Sequence, residues 1–287
     1  MRVVRAKREL REALGAERAA GRSVGFVPTM GALHEGHLSL LRAARERCDV
    51  VVMSLFVNPA QFAPGEDLDA YPRDEGRDAG LAEEAGVDLL YAPPRDEVYP
   101  RGFATTVEVT GVLTDVLCGD PRRRSAEHFK GVATVVAKLF NLVDPDVAFF
   151  GQKDAQQALV IKRMTEDLDF PVEVQVLPTV REPDGLAMSS RNAYLSATER
   201  ERAAVLRRAL SAAENAAMAG GGSTAEALDA ARAELDAAAV EPEYLEARDA
   251  EDLTPAPRFN GRPVLVAVAA RVGDARLIDN VVIDPKG

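Results

Sequence analysis

Three histidines are all that the 287 residues contain, so any chemistry that needs imidazole must be found at His34, His37 or His128. Cysteine is scarcer still. Cys48 and Cys118 lie far apart without metal-ligand spacing, which predicts buried or incidental thiols rather than a disulfide or a nucleophile. No run of ~18 apolar residues occurs, and the N-terminal Met1-Arg2-Val3-Val4-Arg5 has no signal-peptide core, so neither membrane insertion nor secretion is expected and the chain is placed in the cytoplasm. Repeats at solenoid periods are absent as well. The formal net charge is −11. That opposes nonspecific attraction to nucleic acid, which depends on Lys and Arg neutralising phosphates. A small-molecule substrate fits better, and ATP is not excluded, because only the local field of a pocket matters and magnesium offsets much of the triphosphate charge.

What is present is 47% hydrophobic sequence, enough for one large or two moderate domains. Along the chain the pattern predicts a helix near Lys7 to Ala20, strand Val24 to Pro28, a helix from about Leu38 to Arg47 and strand Val50 to Val57. A charged helix over Asp74 to Ala85 comes next, then short strands Val87 to Tyr91 and Thr105 to Val109. A long helix (Phe129 to Val143), strand Val147 to Phe150, helix Ala155 to Leu168 and strand Val172 to Leu177 complete the series. Strands alternating with helices define the α/β class: a Rossmann-like, doubly wound parallel sheet that binds ligands at the carboxyl ends of its strands. After Pro178 the texture changes to one helix over Thr198 to Ala219, the breaker Gly220-Gly221-Gly222 and a helix over Thr224 to Ala238. Three strand-like runs follow, Tyr244 to Arg248, Val264 to Val272 and Arg276 to Ile283, the last two joined by a Gly273-Asp274 turn. The expected organisation is therefore residues 1–178 as the Rossmann-like domain and 179–287 as a smaller C-terminal α+β domain.

Two histidines stand three residues apart in Pro28-Thr29-Met30-Gly31-Ala32-Leu33-His34-Glu35-Gly36-His37. An apolar strand runs into this turn and an amphipathic helix leaves it. The first amides of that helix and the positive end of its dipole form an anion site, with phosphate the usual occupant. Two other uses are open to the pair. Metal ligation would need a third ligand; Glu35 could contribute, but the zinc motif with a glutamate between its histidines needs them four residues apart on an established helix, whereas plain helix capping needs nothing more.

Val57-Asn58-Pro59-Ala60-Gln61-Phe62 follows the second strand, where Gln61 is the candidate to read a carboxylate or hydroxyl, while Asn58 before proline is equally an ordinary turn signal. The acidic stretch Glu66 to Arg73 would attract magnesium or an amine, and a solvated loop explains it equally well. Gly151-Gln152-Lys153-Asp154 lies between another buried strand and its helix; Gly151 admits a ligand to the backbone and Lys153 offers a compact charge for phosphate. In Met188-Ser189-Ser190-Arg191-Asn192, two hydroxyls and a guanidinium suit triphosphate oxygens. No nucleophile accompanies these donors, so catalysis without a covalent enzyme intermediate is expected. His128 is expected to open a helix near the substrate.

Taken together, Pro28 to His37, Phe56 to Phe62, Glu66 to Arg73 and Asp184 to Asn192 resemble, in order, the signatures of the pantothenate synthetases, the pantoate–β-alanine ligases of the nucleotidylyltransferase superfamily. The match spans nearly the whole chain. The resemblance implies that pantoate is activated by ATP as pantoyl adenylate, releasing pyrophosphate, and that β-alanine then displaces AMP. It implies ATP against Met30, Gly31, Ala32, Leu33, His34, Glu35, Gly36 and His37, against Gly151, Gln152, Lys153 and Asp154, and against Met188, Ser189, Ser190 and Arg191. Val180 would contribute backbone contacts to adenine. His37, with His34 and Lys153, would be catalytic; Gln61 and Gln157 would hold pantoate, and Gln61 would also meet β-alanine. Magnesium dependence and a homodimer are implied too. Two departures stand out: Gln152 replaces the family's glutamate, and Arg124 precedes His128 by four residues where the family has Arg-Pro-x-His.

Overall fold

The computed structural model describes residues 1–62, 68–220 and 222–284; Glu66 and Asp67 of the acidic stretch and Gly221 of the glycine breaker lie outside the described residues. The nearly all-apolar runs Val24–Thr29 (β2), Val50–Leu55 (β3) and Val147–Gly151 (β5) become strands buried on both faces, as parallel strands under two layers of helix must be. With Arg2–Val4 (β1), Leu89–Tyr91 (β4) and Glu173–Leu177 (β6) they form a six-stranded parallel sheet in the order β1-β4-β3-β2-β5-β6. The chain builds outward from β2 through β3 and β4 on one side, then crosses to β5 and β6 on the other. The order reverses between β2 and β5, which is where an open sheet of this kind leaves a crevice for ligands at its carboxyl edge.

The connecting helices are α1 (Lys7–Ala19), α2 (Glu35–Arg47), α3 (Glu75–Glu84), the single turns α4 (Arg95–Val98) and α5 (Val112–Asp115), the long α6 (Ala126–Val143) and α7 (Ala155–Asp167). Beyond them come α8 (Ala197–Ala203), α9 (Val205–Met218), α10 (Thr224–Ala237) and an antiparallel sheet of β7 (Pro242–Asp249), β8 (Val264–Val272) and β9 (Ala275–Ile283) in sequential order. Alternation along β8 sends Val264, Val266, Val268, Ala270 and Val272 against α9 and α10, while Leu265, Ala267 and Ala269 join the apolar core that contains α6 and α7. The second sheet is thus packed on both faces, and its hairpin is held beside the carboxyl edge of the first.

Three expectations are corrected. Thr105 to Val109 is not a strand: the Val107 amide donates to the Thr134 hydroxyl (2.9 Å), which donates back to the Val107 carbonyl (3.3 Å). A side chain of α6 thereby takes the bonds a partner strand would have made. The helix expected over Thr198 to Ala219 is two, because the backbone flattens at Ala204 (ψ −14°) between α8 and α9. A strand was not expected at Arg2–Val4, which buries only Val4 and so shows little pattern. Both cysteines are free and buried, as expected.

Candidate active site

The carboxyl ends of β2 and β5 open onto a cleft of about 210 Å³ lined by Met30, His34, His37, Gln61, Gly151, Lys153, Asp154, Gln157, Ser189, Ser190 and Arg191, with Arg124 and His128 at one side. The turn after β2 is unusual. Gly31 (φ 90°) and Ala32 (φ 52°) are both left-handed, which turns the amides of Ala32 and Leu33 onto the buried carboxylate of Asp78 in α3 at 2.8 and 2.9 Å. A Cβ on Gly31 would lie 2.8 Å from Leu55 and 2.9 Å from Asp78, so glycine is required twice over.

His34 caps α2. Its Nδ1 accepts from the Gly36 amide (3.2 Å), and His37 Nδ1 accepts from the His34 amide (3.3 Å). The capping use left open by the sequence is therefore real, and it occupies Nδ1 of each ring while leaving Nε2 free of that role. An imidazole whose Nδ1 accepts carries its neutral-form hydrogen on Nε2, so each ring turns an amide it has capped into a donor displaced toward the cleft. Helix amides were expected to meet phosphate directly; those of Ala32, Leu33, His34, Gly36 and His37 are instead already bonded within the protein.

Both rings are held neutral. Burial, then the Lys153 charge, lowers His34 to about 4. Burial, then His34 and Lys153, pushes His37 well below the usual histidine range. The rings sit 4.1 Å apart.

Gln61 ends a short 3₁₀ turn capped by Asn58, whose side chain is buried and fully engaged. Its amide donates to Gln61 Oε1 and to the Gly131 carbonyl, both at 3.1 Å, and its oxygen accepts from the Ala60 amide (3.2 Å) and the Tyr99 hydroxyl (2.8 Å). The Gln61 side-chain amide, among the described residues, donates only to the Met30 thioether, at 2.8 Å. Sulfur is a weak acceptor, so a carboxylate or hydroxyl entering the cleft would be a better partner for that amide. Val132, Val135, Val136 and Leu139 of α6, with Phe149 and Phe150, make the wall nearby apolar.

Beside Gly151 a Cβ would meet nothing within 4 Å, so that space belongs to the cleft. The next two residues are clamped by β9: Asn280 donates to the carbonyls of Gln152 (2.9 Å) and Lys153 (3.0 Å), and the Gln152 amide donates to Asn280 Oδ1 (3.0 Å). Gln152 thus faces β9 rather than lining the cleft, and as an amide it complements asparagine without bringing a charge. The neighbouring Asp279, almost wholly buried, binds Arg181 in bidentate fashion at 2.6 and 3.0 Å. Two consecutive residues of β9 therefore tether the loop that carries Lys153 and the loop that begins at Arg181.

The second loop folds back on itself: Met188 donates to the Val180 carbonyl (3.0 Å), and Asn192 bridges Glu182 (2.6 Å) and the Ala187 carbonyl (3.1 Å). Ser189 caps the 3₁₀ helix Ser190–Tyr194. A Cβ on Gly36 would lie 3.8 Å from Met188, which places this loop against the histidine turn.

Of the expected residues, Gly31, Ala32, Leu33, Glu35, Gly36, Gln152, Val180 and Met188 do not line the main cleft. Leu33 is core, and Glu35 pairs with Arg42 at the surface. They shape the turns that carry the lining residues. Asp78, Asn280, Asp279 and Arg181 were not singled out from sequence, since nothing in their surroundings marks partners 45 to 128 residues away.

Comparison with known proteins agrees with this geometry. A sequence profile described as Pantoate-beta-alanine ligase matches residues 2–282. The chain is 54% identical over 276 residues to the pantothenate synthetase of Moorella thermoacetica, covering 96% of each. Among solved structures, pantothenate synthetase from Thermus thermophilus superposes with a TM-score of 0.91 at 53% identity, covering 98% of this chain and 99% of that one. Pantoate-beta-alanine ligase from Francisella tularensis, complexed with beta-gamma ATP and beta-alanine, does so at 0.80 with 29% identity, covering 100% and 98%. The chain belongs to the pantoate–β-alanine ligase family.

Proposed function

We propose that the cleft performs both halves of pantothenate formation with the following division of labour. ATP lies along the carboxyl edge between β2 and β5, its phosphates facing His34, His37, Lys153, Ser189, Ser190 and Arg191. Pantoate sits deeper, its carboxylate and hydroxyls read by Gln61 and Gln157 and its two methyl groups against the valine wall of α6. One carboxylate oxygen attacks the α-phosphorus, the bond to the β-phosphate oxygen breaks, and pyrophosphate leaves. The amine of β-alanine, arriving beside Gln61, then attacks the acyl carbon, loses a proton and displaces AMP.

The observation that carries this reading is the pair of neutral imidazoles with Nδ1 occupied by backbone amides. Preorganised donors in a shielded site stabilise charge that develops on the phosphates more than mobile ones do. Neutral rings also do not repel Lys153.

Magnesium would enter with the triphosphate. Among the described residues no group of three or more His, Cys, Asp and Glu is placed to hold a metal, and Asp154 is the carboxylate among the lining residues. That donor set fits an ion shared by phosphates, water and one side chain. When bound it would neutralise phosphate charge; orientation and hydrogen bonding remain the work of the protein. Residues 179–287 would close over the bound nucleotide. A cytoplasmic homodimer is in keeping with the family resemblance, and no helix among the described residues is long and apolar enough to cross a membrane.

The test is His37→Ala. It should fold and lose pantoate-dependent ATP–pyrophosphate exchange by ~10²–10³-fold, and near-normal exchange would remove His37 from the chemistry. Oxygen label in the pantoate carboxylate should appear in AMP; none there would point to a different activation.

A further inference from the structure

A second recess, of about 610 Å³, opens beside the cleft and shares Arg124, Lys153, Asp154, Ser189 and Arg191 with it. Its outer wall is the β8–β9 hairpin, which contributes Arg271, Asp274 and Arg276. Five cations and two carboxylates thus face this space, in a chain where acids outnumber bases 46 to 35.

Two of the cations are placed against local preference. Arg271 and Arg276 are direct partners across antiparallel β8 and β9, a register in which like charges destabilise the sheet. Arg276 is anchored there by Glu243 (2.8 Å) and by the buried Cys118 sulfur (3.4 Å). Arg271 is exposed and has no ion pair among the described residues. Such an arrangement is relieved by an anion lying between the guanidiniums. His34, His37 and Gln61 line the cleft but not the recess.

We propose that this recess is a second anion site, which receives pyrophosphate once the bond between the α- and β-phosphates has broken. The inference rests on the functional reading above, since only that reading supplies pyrophosphate at Lys153, Ser189 and Arg191. Pyrophosphate moving outward would exchange those donors for Arg271 and Arg276 while shared residues keep hold of it. The leaving anion would thereby be drawn from the pantoyl adenylate.

The experiment compares wild type with Arg271→Gln and Arg271→Glu, using added pyrophosphate as inhibitor and, separately, as titrant of the substrate-free protein in a calorimeter. The inhibition and dissociation constants should rise by roughly threefold to tenfold for Gln, more for Glu, and the gap should shrink at high salt as exposed charges are screened. The KM for ATP should stay at the wild-type level. Unchanged constants in both variants overturn the proposal. So does a KM for ATP that rises in step with them, which would put Arg271 on the bound triphosphate. Failure of the wild type to form pantothenate would instead overturn the functional reading, leaving the calorimetric comparison to judge the recess by itself.

Discussion

His128 donates its Nδ1 hydrogen to the main-chain carbonyl of Gln61, 2.7 Å away. A carbonyl can only accept, so the ring must carry that hydrogen, leaving Nε2 of its neutral form to accept from Arg124 at 3.3 Å. His128 is thus the opposite tautomer of His34 and His37. Its role is to fix the turn that presents Gln61, and Arg124 still reaches it from four residues upstream despite the departure from the family spacing.

A positioning role of this kind predicts a split between substrates. His128→Phe keeps the ring's bulk and removes the donor, leaving a partly buried carbonyl without its partner at a cost of about 1–3 kcal/mol. The KM for pantoate should rise roughly tenfold or more while that for ATP holds. His128→Asn, whose amide can donate from nearly the place of Nδ1, should recover part of the loss. Equal changes in both KM values would show that His128 supports the fold alone.

The same turn depends on Gly131 in α6. An interior helical glycine normally gains about 0.5–1 kcal/mol of stability on replacement by alanine. Here the added Cβ would fall 2.1 Å from the Ala60 carbonyl oxygen and 2.8 Å from the Gln61 amide nitrogen, so helix or turn must move. Gly131→Ala should therefore lower the melting temperature instead of raising it. It should also cut kcat/KM for pantoate by up to ~10²-fold, the scale of an ångström-sized misplacement. A stabilised, fully active variant would contradict this packing.

How much of this could be read in the chain depends on how far apart the cooperating residues lie. The strand–turn–helix units at Val24 to Arg47 and Val147 to Asp167 were legible, because a strand buried on both faces is apolar throughout and the residues that follow it are neighbours in sequence. Thr105 to Val109 misled because a β-branched run looks the same whether its amides meet a strand or the Thr134 hydroxyl. The lining side chains His34, His37, Gln61, Lys153 and Ser189 to Arg191 were found, since their chemistry sits on the turns themselves. Their supports were not. Asp78 lies 45 or 46 residues from the amides it holds, and Asn280 lies 128 residues from the Gln152 side chain it pairs with. No local periodicity marks such a partnership.

Asp78 gives the clearest case of a support that sequence hides. Its carboxylate accepts from Ala32 and Leu33 where both residues before Leu33 are left-handed, so it holds a backbone that would otherwise relax. Asp78→Asn keeps the shape but can offer only one oxygen, and its NH₂ faces an amide donor. A loss of about 1–3 kcal/mol is expected, read as a lower urea midpoint, together with weaker ATP binding as the histidine turn loosens. Unchanged ATP affinity in a destabilised variant would show that the carboxylate serves stability without serving the site.

The two neutral histidines make a prediction about acid. Each ring titrates near 6.5 in the unfolded chain; in the folded protein His34 does so at about 4, and His37 is likewise pushed well down, chiefly by burial. Between those values the unfolded chain holds more protons, so stability rises with pH across the window. The contribution of His34 is complete above about 6.5 and drains away as pH falls toward 4. For the substrate-free protein, the melting temperature should fall steadily from about pH 7 to about pH 5. His34→Gln, which cannot take up a proton, should fall less steeply over the same range. The difference between the two curves isolates the ring from the carboxylates that titrate at lower pH. Parallel curves would mean that His34 is protonated in the fold as readily as in water, and the donor geometry assigned to its Nε2 would then be wrong.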